Sequence, residues 1–297
     1  MDKMKSNPAV KKCKKRPPGM SVLAVTPIYI STALFVVGPL FYMIVLSFMR
    51  RSGQWGVERT FTLQNYANIL HPVYLNTFFQ SVKLALISTV LIILIGYPFG
   101  YFMARLPEKW RFRISFLLTI PIWTSSLMRL YGWIIVFRAG GILDSLLMRL
   151  GLIQTSMKLL YTYPAVLVGM VYVLLPFMIH AVFSSVEKMD WSLVEAARDL
   201  GANSFQAFWS VSFKLSLPGL LSGIILTFIP SMGLFFIADI LGGNKVVLVG
   251  SVIQEQLMKA HNWPFAAALS VILMLMTTLF IYIYRRVVKV KELEGLV

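Results

Sequence analysis

The chain is poor in charge. Only 13% of its 297 residues are Asp, Glu, Lys or Arg, where a soluble domain carries about a quarter. That shortfall excludes an ordinary water-soluble globule. Acidic residues are the scarcest, 12 against 28 Lys and Arg, leaving a formal charge of +16. Cysteine is all but absent: Cys13 stands alone in the basic run KKCKKR, so no internal disulfide is possible. No G-x-x-x-x-G-K-[ST] loop is present, which removes that route to ATP binding by this chain itself. There is no H-E-x-x-H and no paired Cys/His spacing. His71, His180 and His261 are far apart and read as structural, so no metal site is assigned. Nothing in the placement of Ser, His and Asp argues for a nucleophilic enzyme, and no catalytic residue is assigned.

What is abundant is hydrocarbon. Hydrophobic residues make up 58% of the chain, and the mean hydropathy is +0.74. They gather in six runs, about 22–49, 78–104, 114–137, 164–183, 215–238 and 264–284. A helix needs roughly 20 apolar residues to cross a bilayer. The expected fold is therefore an all-α integral membrane protein with six transmembrane helices over 22–284. A basic tail (1–21) precedes them and a short tail (285–297) follows. The first run is too long for a signal peptide and lacks a small-x-small cleavage site, so it reads as a retained span.

Positive charge sets the orientation. Seven Lys and Arg lie in 1–21, four in 105–113, three in 184–214 and four in 285–297. The alternate connections, 50–77, 138–163 and 239–263, hold three, three and two. Short cytoplasmic loops carry the Lys/Arg excess, so both termini and the 184–214 connection are expected in the cytoplasm. Basic residues that hug membrane boundaries suit anionic lipid rather than nucleic acid.

One polar stretch interrupts the apolar pattern: SLVEAARDLGANSF, Ser192 to Phe205. Ser192 and Glu195 have the spacing of a capping box. Ala196 and Ala197 extend the helix, and Gly201 supplies the left-handed residue that ends it. Asn203 and Ser204 then suit the start of a second helix, FQAFWSVSF, leading into span five. The result is a helix–turn–helix elbow over 190–213. Its apolar side (Leu193, Val194, Ala197, Leu200) either packs on the protein's own underside or meets a soluble partner. In the second case Glu195, Arg198 and Asp199 offer directed contacts.

EAARDLG at Glu195–Gly201 resembles the EAA-x-x-x-G signature of the permease subunits of binding-protein-dependent ABC importers. Further stretches are similar to the first permease subunit of spermidine/putrescine importers: FTLQNYANIL (61–70), GYPFGYFMARLP (96–107), PIWTSSLMRLYGW (121–133), VYVLLPFM (171–178), LVEAARDLGA (193–202), PSMGLFFIADILGG (230–243) and WPF (263–265). The resemblance implies the type I, MetI-like permease fold, with a coupling helix between spans four and five that seats in a cleft of an ATPase subunit. Glu195, Ala196, Ala197, Asp199 and Gly201 are then the coupling residues. It also implies a second homologous permease, two ATPase subunits and an extracytoplasmic polyamine-binding protein in a bacterial cytoplasmic (inner) membrane. ATP and Mg belong to the partner ATPase, and this chain needs no cofactor. In the family the signature is followed by nine variable residues and I-x-L-P. Here Val211, Ser212, Phe213 and Lys214 stand there, so Lys214 replaces the proline, and Pro218 is the candidate for the break.

For a polycationic cargo the useful chemistry is carboxylates and aromatic faces. Asp239, near the outer end of span five, is the leading candidate for the substrate path. Phe235, Phe236, Trp123, Tyr131, Trp133 and Tyr172 are its aromatic companions, with interfacial anchoring as the competing role. Arg129 in span three requires a partner or water, and Asp239 is the expected one. Gly and Pro interrupt several spans (Gly96 to Pro98, Pro121, Pro176, Pro230 with Gly233). They read as kinks, the last bordering the path. Two other readings compete: the same importer class carrying another small solute, and a membrane scaffold for a soluble partner. An anionic cargo makes Arg129 the binding residue and Asp239 a liability. A scaffold predicts that changing Glu195 or Gly201 loses the complex without affecting flux.

Overall fold

The computed structural model describes residues 26–53, 56–243 and 245–294. The basic tail 1–21 with Cys13, the first residues of the first run, and 295–297 lie outside the described residues. Among the described residues, six helical segments are long and apolar enough to cross a membrane: Thr26–Ser47, Pro72–Arg105, Ser126–Arg149, Tyr163–Glu187, Ser204–Gly233 and Trp263–Arg286.

In chain order, α1 (Thr26–Ser47) leads to a two-stranded antiparallel hairpin, β1 (Met49–Arg51) and β2 (Val57–Phe61). The short α2 (Gln64–Ile69) and the long α3 (Pro72–Arg105) follow. The hairpin is a small addition to the all-α membrane fold that was expected. Its strands are closed by the stacked rings of Phe48 and Phe61, 5.3 Å apart. Asn65 Nδ2 donates to the Ser47 and Met49 carbonyls, 2.9 Å each, satisfying backbone groups that the end of α1 leaves open.

The core is α7 (Tyr163–Glu187) held between α3 and α9 (Ser204–Gly233). Apolar side chains gain nothing by leaving lipid for one another, so helices in a membrane associate by close packing, helped by small residues. Both neighbours of α7 present glycines four apart. A Cβ on Gly96 would lie 2.8 Å from Met178 Cγ, and one on Gly100 would lie 2.9 Å from the Ile179 carbonyl. From the other side Gly219 abuts Ser185 and the Ala181 carbonyl, and Gly223 abuts the Met178 sulfur. One methionine, fully buried, thus touches both glycine faces.

The third run departs from expectation. It forms two helices, α4 (Glu108–Trp123) and α5 (Ser126–Phe137), separated by extended backbone at Thr124 and Ser125. Pro121 has no N–H and lies in the last turn of α4. Its carbonyl accepts from both the Thr124 N–H (3.2 Å) and Thr124 Oγ1 (2.9 Å), so the helix closes there. After α5 come α6 (Ile142–Arg149) and the connection to α7.

The fifth run also differs. Its helix begins at Ser204, not near 215, and passes unbroken through Pro218. The irregularity precedes that proline, as a π-helical turn at Phe208–Ser212. α9 stops at Gly233, and after Leu234 come the short α10 (Phe235–Ile237) and a π-helical turn, Ala238–Gly242. The chain ends with α11 (Val249–Met258) and α12 (Trp263–Glu294).

Candidate functional site

The elbow forms between α7 and α9. The helix α8 (Ser192–Asp199) ends in a Schellman turn: the Ala202 N–H donates to the Ala197 carbonyl and the Gly201 N–H to the Arg198 carbonyl. Gly201 has φ +91°, where an L side chain is strained. The expected capping box of Ser192 and Glu195 is not formed. Trp191 holds the N-cap position, and the Ser192 N–H donates to Asp190 Oδ1 at 3.0 Å. Hydrogen bonds from Ser192 hold the Asp190 carboxyl below the usual carboxylate range. The reciprocal box lies one helix later: the Gln206 N–H donates to Asn203 Oδ1 (2.8 Å) and the Asn203 N–H to Gln206 Oε1 (3.0 Å).

The apolar side of α8 is divided between packing and exposure. Val194 and Ala197 join Met189, Ala207, Ala202 and Val211 in a small core of the elbow's own. Leu193 and Leu200 stay out, Leu200 at 90% exposure, beside the exposed Glu195, Ala196 and Asp199. A protruding, rigid, mixed apolar and charged surface remains.

Far from the elbow, the two helix breaks meet. Ile122, Trp123, Thr124, Ser125, Ser126 and Leu127 line a cavity of about 740 Å³ with Phe235, Phe236 and Gln254. Its depth follows from the α7 contacts. Ser125 is one turn from Arg129, whose guanidinium lies 5.4 Å from the Tyr172 ring. Tyr172 is nine residues into α7, about 14 Å from its N-terminal end at 1.5 Å per residue. Unwound backbone at such depth is tolerated where it lines a water-filled cavity.

Of the seven path candidates, the structure gathers three here: Trp123, Phe235 and Phe236. Trp133 and Tyr172 pair edge to face beside it, 5.5 Å apart. Tyr131, 56% exposed, is not part of the lining. Asp239 is not part of it either. It sits past the Leu234 break, and Ser251 Oγ donates to its Oδ1 at 2.8 Å. The expected pairing of Arg129 with Asp239 is not formed. Arg129 is stacked on Tyr172, and its buried Nε has no hydrogen-bond partner among the described residues. The break after Gly233 displaces Asp239 from the helix on which the pairing was reasoned. Thr124, Ser125 and Gln254 were missed. The T-S-S after Pro121, rich in helix-capping side chains, was the available signal for the first two.

Residues 96–290 match the family described as the binding-protein-dependent transport system inner membrane component. The chain belongs to that family. Within it, the chain is 44% identical over 253 residues to the spermidine/putrescine transport system permease protein PotB of Salmonella typhimurium (strain SL1344), covering 85% of this chain and 88% of that one. It is 42% identical to the PotB of Escherichia coli K12, over 85% and 92%. Among solved structures, a chain of the bacterial alginate ABC transporter in complex with its alginate pentasaccharide-bound periplasmic protein superposes with a TM-score of 0.71. Identity there is 12%, with 90% and 92% of the two chains covered. The fold is thus that of ABC-importer permeases, and the chain is a PotB-like, multi-pass membrane permease subunit.

Proposed function

We propose that this chain is a permease subunit of an ATP-driven importer for polyamines and forms half of its translocation pathway. The observation that carries this reading is 44% identity to a spermidine/putrescine permease over 85% of the chain. On this reading both termini and the elbow face the cytoplasm. α8 is the coupling helix, with Glu195, Ala196, Ala197, Asp199 and Gly201 at an ATPase cleft. The partners are a second homologous permease, two ATPase subunits and an extracytoplasmic polyamine-binding protein in a bacterial inner membrane. The chain itself is non-catalytic and holds no cofactor.

The site chemistry fits a cation without needing a carboxylate. α4 ends at the cavity while α5 and α10 begin there, so carbonyl and N–H helix ends both border it, and its preference for a cation rests on the rings. Trp123, Phe235 and Phe236 supply ring faces. ATP binding closes the ATPase dimer and draws the coupling helices together. The permease then switches between two discrete packings, open first to one side and then to the other.

Labelled spermidine uptake, in cells lacking the chain and complemented by variants, tests the assignment. Trp123→Ala is expected to raise the KM about three- to tenfold, while Asp239→Asn stays within twofold of wild type. Absence of uptake by the wild-type complement would overturn the polyamine reading. A second reading, an anionic cargo, draws on the stacked Arg129 beside the cavity. It predicts the reverse: Arg129→Gln abolishes uptake of that cargo and Trp123→Ala is tolerated.

A further inference from the structure

The elbow is not joined to the bundle by backbone alone. Trp191, at the N-cap of α8, packs in two clusters at once: the elbow's small core and the main core around α7. Its ring meets that of Tyr101, 6.1 Å away and edge-on. Arg105, the last residue of α3, lays its guanidinium 5.1 Å from the Trp191 ring and 5.5 Å from the Tyr101 ring. Tyr101 in turn meets Phe208, 5.3 Å away and nearly perpendicular. Phe208 opens the π-helical turn that joins the elbow to span five. One turn further along α3, Tyr97 sits against Phe213, 5.8 Å between rings. Ser216 Oγ donates to the Phe213 carbonyl, so the Tyr97 phenol donates to Ser216 Oγ at 2.8 Å. The joint therefore spans three elements: the end of α3, the start of α8 and the first turns of α9.

We propose that Arg105, Trp191, Tyr101 and Tyr97 form a transmission joint that makes the elbow, α3 and α9 move as one body, so that force received at α8 reaches the helices around the cavity. The physical argument is one of stiffness. A helix tethered only by its loops tilts freely when pulled. A guanidinium between two rings, backed by edge-to-face pairs and a buried hydroxyl bond, resists both tilt and slide. Arg105 suits this better than a lysine would, because its planar head stacks. These are positioning residues, and none of them belongs to the cavity lining.

The inference rests on α8 being the ATPase contact, and its test separates the two claims. The full importer, with ATPase, second permease and binding protein, is reconstituted in proteoliposomes, and spermidine transported is divided by ATP hydrolysed. Arg105→Gln, Trp191→Leu and Tyr97→Phe are expected to leave the complex assembled and hydrolysing ATP, while that ratio falls about fivefold or more. Trp191→Phe is expected to restore it to within twofold. A ratio unchanged in all three, whether both rates hold or fall together, overturns the joint. Gly201→Val is measured in parallel. If it leaves ATPase association intact, the coupling-helix reading fails instead.

Discussion

Read along the chain, α1 and α7 are alike: each is an apolar helix with the length to cross a bilayer. In the fold they are opposites. Half of the apolar window of α7 is buried, pressed between the glycine faces of α3 and α9. None of the corresponding window of α1 is buried, and in the whole helix Met43–Leu46 are only half-buried and Ser47 alone is buried. α4 resembles α1 in this respect, with no buried residue and one ion pair, Arg111 to Glu187 at 3.2 Å, holding it to the end of α7. Hydropathy reports that a segment prefers lipid to water. It does not report whether the segment's neighbour is lipid, its own chain or another subunit. Small residues make that distinction, because they decide where two backbones can approach.

Substitutions can break this contrast, and the largest effect is expected at the α7–α9 contact. In Gly219→Val the new Cβ meets Ser185 and the Ala181 carbonyl. Overpacking of roughly 1–3 kcal/mol or more should appear as lost monodisperse protein and a lower melting temperature of the purified complex. Next comes Gly201→Val. The positive φ there costs about 1–2 kcal/mol with a side chain, and ATPase co-purification should fall on the order of tenfold. Smaller is Asn203→Ala, which removes the formed capping box for about 1 kcal/mol. Ser192→Ala, where no side-chain cap exists, should stay within a few tenths. Comparing those two melting temperatures separates the two start signals directly. The smallest effect belongs to α1. Phe35→Cys, at a position 74% exposed, should change stability by less than about 0.5 kcal/mol. Its labelling by a membrane-dissolved maleimide, in a Cys13→Ser background, tells lipid from subunit. Label that is blocked on assembly with the second permease places that subunit over α1.

Much of this architecture was legible. Runs of apolar residues gave the number of spans and, except for the third and fifth, their centres, because the cost of an unsatisfied backbone in hydrocarbon leaves helices as the economical answer. Gly201 announced the end of α8, since few residues accept its φ. What escaped the sequence was pairing at a distance. Ser192 and Asn203 both had the spacing of a cap, and the choice between them was made by Asp190, which accepts the Ser192 N–H that Glu195 was expected to cover. Arg129 and Asp239 are opposite charges, one in the third apolar run and one just past the fifth. Only the break after Gly233 shows why they stay apart. Pro121 marked a kink without revealing that the strand of backbone after it would meet a second break 110 residues on.

That meeting of interrupted helices limits how the path can be sealed. The last carbonyls of α4 and the first N–H groups of α5, over Ile122 to Leu127, have no partner within their helices and cannot sit dry in hydrocarbon, so the chamber they border stays hydrated whether or not cargo is inside. Tightness against ions must then come from greasy collars on either side of a permanently wet middle, and a leak is a failure of the collars, not of the chamber.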